Sequence, residues 1–96
     1  MTAVNDISDV YLEQIFPEPS LSGNERRFVF LYAIGLGFSD IATLCRLHPD
    51  TVRKTLYSAS EKFLDCSNIH SLRTITLIRV FSMVGYHTLN KAHTLF

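Results

Sequence analysis

The chain has 96 residues, enough for one domain with a single, marginal core. Leu, Ile, Val and Phe supply 32 of them, a third of the chain, which excludes the composition of a disordered protein. Nine Lys and Arg balance nine Asp and Glu, so the overall basic charge that many nucleic-acid binders carry is absent. The balance is uneven. Residues 1–20 hold Asp6, Asp9, Glu13 and Glu18 with no Lys or Arg, which leaves residues 21–96 mildly basic.

The N-terminus lacks a basic stretch followed by an apolar one, so no secretory signal is read. The longest apolar run, Phe28 to Phe38, has eleven residues and two glycines. A membrane-spanning helix needs about 20. Cys45 and Cys66 form no C-x-x-C pair and are expected to be reduced thiols packed as small apolar groups. A cytoplasmic protein with no membrane contact is the expectation.

In chain order, the first element is a short amphipathic helix with Ile7, Val10, Tyr11 and Ile15 at helical spacing and Asp6 as a cap. It is too short to be stable alone and must dock on something. Phe16-Pro-Glu-Pro-Ser20 ends it, because proline stops a helix and extends the residue before it. Residues 1–20 are thus an acidic leader with a proline linker. Ser22 and Glu25 have capping-box spacing and start a helix running to about Ile34, where Gly35 and Gly37 end it. A second helix covers about Phe38 to Arg46, and Leu47-His48-Pro49 turns into a third. That third helix carries Val52, Leu56, Ala59 and Phe63 as an apolar stripe. Asp65 to His70 reads as a polar loop. A fourth element spans about Ser71 to Val84; its β-branched residues suit a strand, but its length favours a helix. As a helix it is apolar on most sides and needs a second burial surface, such as another subunit. Residues 85–96 are an unassigned tail.

Two short helices joined by a tight turn, the second with basic residues near its start, make a helix-turn-helix. The second helix of such a pair fits the major groove, roughly 12 Å wide, and offers side chains to base edges from its first turns. Asp50, Thr51, Arg53, Lys54 and Tyr57 lie away from the apolar stripe. Arg53 and Lys54 suit phosphates or guanine edges, and Thr51, Thr55 and Ser58 can donate hydrogen bonds.

These residues resemble the DNA-binding domain of LuxR/GerE-type regulators. The matching run is Leu21-Ser22-x-x-Glu25, Leu31-x-Ala33-x-Gly35, Ile41-Ala42, Leu47, Thr51-Val52-Arg53 and Lys62-Phe63, all in register over about residues 21–80. The resemblance implies an all-α fold: a four-helix bundle over residues 21–84, here with a short extra N-terminal helix. It implies a bacterial transcription regulator that binds double-stranded DNA through the third helix of the bundle. By family position Arg53 stands where a Lys contacts DNA, Thr51 and Val52 fall at the groove-facing start, and Lys62 matches a basic position suited to a phosphate. The fourth helix implies the dimer contact, with Leu72, Ile75, Arg79 and Phe81 as candidates, in a homodimer or a heterodimer with a related regulator. His48, Thr55, Ser58 and Gly37-Phe38 depart from the family pattern, so the DNA sequence read does not carry over. No receiver domain precedes the bundle, so a stand-alone output domain is expected.

Two other readings stand beside this one. The chain could be an interaction module that pairs with a regulator of the same fold without touching DNA, or a promoter reader like a sigma-factor region. An enzyme is not expected, because no Ser or Cys has a base and orienting group in a motif and Gly35-Leu-Gly37 lacks the rest of a phosphate loop. Cys66 and His70 are four apart with no second ligand pair, so no metal, cofactor or small-molecule ligand is expected. Phe30 and Ile34, one turn apart, are expected to be covered by the leader helix through Val10, Tyr11 and Ile15.

Overall fold

Ser22 and Glu25 bond each other's backbone at the start of the helix over Gly23–Ala33: the Ser22 N–H donates to Glu25 Oε1 at 2.8 Å and the Glu25 N–H to Ser22 Oγ at 3.1 Å. This reciprocal cap is the one the sequence spacing predicts. The computed structural model describes residues 8–63 and 68–95, and every regular element among them is helical. In order these are α1 (Asp9–Ile15), α2 (Gly23–Ala33), α3 (Phe38–Cys45), α4 (Pro49–Lys62) and α5 (Ile69–Leu95).

Each boundary has a local cause. Gly35 takes φ +115°, a backbone conformation that strains other residues, and so turns the chain out of α2. Asp40 in the first turn of α3 accepts from the Gly37 N–H at 3.1 Å. Arg46 ends α3 in the left-handed region, φ 57° and ψ 47°, a place usually given to glycine or asparagine. Pro49 opens α4 at a position whose N–H would be unpaired anyway.

The core joins all five helices. Val52, Leu56 and Ala59 of α4 and Phe63 just beyond it are buried as the stripe predicts, against Phe28, Val29, Leu31 and Tyr32 of α2 and Ile41 and Ala42 of α3. The N-terminal helix docks on this core, but through a different stripe from the one expected. Leu12, Ile15 and Phe16 are buried, whereas Val10 faces solvent. Tyr11 meets Phe30 edge-on at 6.2 Å, so the expected cover over Phe30 is present through one ring, while Ile34 stays exposed. Ser8, not Asp6, caps α1; Asp6 and Ile7 lie outside the described residues, as does the part of the polar loop over residues 65–67, Cys66 included.

The linker after α1 is held by two arginines. Arg26 donates to the Phe16 and Glu18 carbonyls at 2.9 and 3.0 Å. Arg79 of α5 makes a two-pronged pair with the Glu18 carboxylate at 2.9 and 2.7 Å and donates to the Ile15 carbonyl. Its guanidinium lies 4.9 Å from the Phe63 ring, which in turn meets Phe16 edge-on at 5.8 Å. Burial pushes the Glu18 carboxyl up, but the Arg79 bonds, a backbone N–H and the nearby charge of Arg26 together outweigh it and leave the group below its ordinary value. The segment from Asp9 to Glu18 is therefore part of the folded body.

The last element differs most from expectation. The helix expected over 71–84 begins at Ile69 and continues through Gly85 to Leu95, taking in most of the unassigned tail. At 27 residues it is about 40 Å long. Thr76 is buried and Ile75 and Val80 pack against the core, and there packing overrides the mild helix penalty of β-branched residues.

Candidate nucleic-acid interface

The helix pair α3–α4 turns through Arg46, Leu47 and His48. The Leu47 N–H donates to the Ala42 carbonyl at 2.8 Å, closing the end of α3. His48 takes the cap position at the start of α4: its Nδ1 accepts from the Asp50 N–H at 3.1 Å. An acceptor at this place does what a Ser hydroxyl would do.

Beyond this turn, α4 has two faces. One is the buried stripe. The other presents Thr51, Arg53, Lys54, Tyr57 and Ser58 to solvent. Arg53 and Lys54 share one partner. Asp50 Oδ1 accepts from Arg53 Nε at 3.1 Å and Nη2 at 2.6 Å, and Asp50 Oδ2 lies 3.3 Å from Lys54 Nζ. The Arg53 guanidinium stands 5.9 Å from the Tyr57 ring. Arg46 is exposed just before α4 and adds a cation that no propensity or spacing announced, because its place depends on the left-handed turn. An open groove between α4 and the start of α2 is lined by Lys54, Thr55, Ser58 and Lys62 on one side and by Ser22, Asn24 and the Lys62-paired Glu25 on the other.

Three expected contacts need correction. Val52 is 0% exposed, since it belongs to the buried stripe, and offers nothing to a ligand. The Thr55 hydroxyl turns back to the Thr51 carbonyl at 2.8 Å on a half-buried side chain. Lys62 is paired with Glu25 at 2.8 Å, so its charge is already engaged inside the fold. Thr51, Arg53, Lys54 and Ser58 lie on the exposed face of α4.

Of the residues expected at a dimer contact, Leu72 is 0% exposed in the core and Arg79 is taken up by Glu18, so neither faces a partner. Ile75 is half-buried against the core. Phe81 is 68% exposed, and Ile78 and Val84 lie exposed beside it. Among the described residues no helix is long and apolar enough to cross a membrane, and no three His, Cys, Asp or Glu side chains could together hold a metal ion. No protein-family model, curated protein or solved structure matches this chain.

Proposed function

We propose that the chain is a DNA-binding transcription regulator of the LuxR type, which places α4 in the major groove of double-stranded DNA and acts as a dimer. One observation carries this reading: α4 has one face fully committed to the core, while the opposite face starts in its first turn with Thr51, Arg53 and Lys54 and leads on to Tyr57 and Ser58. That division is what a groove-reading helix requires, because its contacts come from the first turns and its back must be braced. The reading is supported by α2, α3 and α4, which lie close to the helices expected over 22–34, 38–46 and 49–63, while α5 begins near the expected fourth helix but runs on to Leu95. Arg46 and the groove beside the start of α2 extend the surface toward backbone phosphates.

The test is fluorescence anisotropy with duplex DNA over a salt series, for the wild type and for Arg53→Ala/Lys54→Ala. Each phosphate neutralised adds about 0.9 to the log–log salt slope. The wild type is expected to show a steep slope that falls by one to two such increments in the double variant. A folded protein with no binding at low salt points instead to the interaction module, and a pull-down then becomes the decisive measurement.

Support for self-association lies in α5. Ile78, Phe81 and Val84 form an exposed apolar row, and a Cβ placed on Gly85 would meet nothing within 4 Å. Glycine inside a helix costs about 1 kcal/mol against alanine. A bulky Phe81 one turn from a bare Gly85 makes a surface that is complementary to itself, as a two-fold contact must be. Phe81→Glu is expected to convert a dimer to a monomer in sedimentation equilibrium without lowering helix content. A wild type that is monomeric at micromolar concentration would remove the dimer from the proposal.

A further inference from the structure

We infer that Asp50 is a specificity-determining residue: it acts as a built-in counter-ion that weakens general attraction to the DNA backbone and orients Arg53 toward a guanine edge. The inference rests on the DNA-binding reading of α4. Its basis is that one carboxylate serves both cations of the exposed face. Asp50 Oδ1 takes Arg53 Nε and Nη2, and Oδ2 faces Lys54 Nζ. Asp50, Arg53, Lys54 and Tyr57 sit at i, i+3, i+4 and i+7, so the four side chains share one strip of helix.

Two consequences follow from the chemistry. First, a phosphate approaching this strip meets one net positive charge, where Arg53 and Lys54 unpaired would offer two. The Arg53 guanidinium, then Lys54, holds the Asp50 carboxyl below the ordinary aspartate value, so this counter-ion stays charged throughout the neutral range. Second, guanidinium has five N–H donors in a rigid fork. Asp50 occupies the Nε side, and Tyr57 lies within cation–π distance. The end edge of the guanidinium keeps a donor on each Nη, the pair that matches O6 and N7 of guanine. A phosphate competes with Asp50 for the same charge, whereas a guanine can be read by the end edge while Asp50 stays in place. Asp50 thus lowers affinity for any sequence and favours one with guanine beneath Arg53.

The experiment compares the full-length wild type, Asp50→Asn and Asp50→Glu on two probes: a random-sequence duplex and a duplex selected by the wild type from a randomised pool. Asp50 is exposed at the helix start, so Asn keeps the fold, and thermal melting checks this. Asp50→Asn is expected to bind the random duplex about tenfold more tightly at 50 mM salt, with a slope steeper by about 0.9, as one added phosphate contact requires. Its preference for the selected duplex is expected to fall severalfold. Asp50→Glu, which can still span to Arg53 and Lys54, is expected to stay near the wild type. An unchanged slope and unchanged preference in Asp50→Asn, with the wild type binding normally, overturn the role of Asp50 alone. Absence of salt-dependent binding by the wild type overturns the DNA reading and this inference with it.

Discussion

Phe16→Ala is expected to cost about 3–5 kcal/mol, as truncation of a fully buried aromatic side chain does. Phe16 is wholly buried and meets Phe63 edge-on, at the junction of the linker with the end of α4. A domain of this size has about 5–15 kcal/mol in total, so the variant approaches the limit of stability. The expected fall in melting temperature is about 12 °C or more, taking at least 4 °C per kcal/mol for a domain of this length. Val10→Ala is the matched control. Val10 lies on the same short segment but is exposed, and its loss is expected to stay within about 0.5 kcal/mol. Urea denaturation of the two variants decides the matter. A cost below 1 kcal/mol for Phe16→Ala would mean that the N-terminal segment rests on the domain without belonging to its core.

Why Phe16 escapes a reading of the sequence is a matter of length and context. In a helix of seven residues, Val10-Tyr11-Ile15 and Leu12-Ile15-Phe16 are both at helical spacing, and so few turns leave the period undecided. Phe16 also precedes Pro17, which marks it as linker. Elsewhere local rules suffice. The Ser22–Glu25 cap, Pro49 at the start of α4 and the stripe Val52-Leu56-Ala59-Phe63 are short-range patterns, and each appears in the structure where the spacing puts it. The spacing of Asp50 with Arg53 and Lys54 is equally local and carries their shared ion pairs. The pairs Arg79–Glu18 and Lys62–Glu25 are different in kind. Their partners are 61 and 37 residues apart, and a side chain's distant partner leaves no periodic trace. This is why Arg79 and Lys62 were expected to face outward and are instead found inside the fold. The length of α5 has no sequence signal of this kind: residues 85–96 read as an unassigned tail, yet the helix continues through Gly85 to Leu95.

Lys62→Met is expected to cost about 3 kcal/mol. Glu25 is 5% exposed, and its Oε1 receives both the Ser22 N–H and Lys62 Nζ at 2.8 Å, while Oε2 has no hydrogen-bond partner among the described residues. Removing the ammonium leaves a buried carboxylate uncompensated, a loss in the range of about 3–5 kcal/mol. The lower end applies because the Lys62 side chain keeps 34% of its surface in water, where part of its attraction is screened. Glu25→Gln/Lys62→Met, which removes both charges, is expected to recover most of this stability, and the difference between the variants measures the coupling. The same pair predicts a pH dependence with a definite sign. Burial raises the Glu25 carboxyl, but the bonds from Lys62 and Ser22 outweigh it, so its folded value lies below the ordinary 4.5. A depressed carboxylate contributes stability above its unfolded value and loses that contribution as pH falls through the folded one. Without Lys62, burial is opposed by the Ser22 bonds alone, so the carboxyl sits higher than in the wild type and takes up its proton earlier as pH falls. The gap in urea midpoint between wild type and Lys62→Met is therefore expected to be widest at pH 7 and to narrow toward pH 4. A gap that stays constant over that range would show that Lys62 supports α4 through its methylene packing, and that its ammonium is free to meet a phosphate.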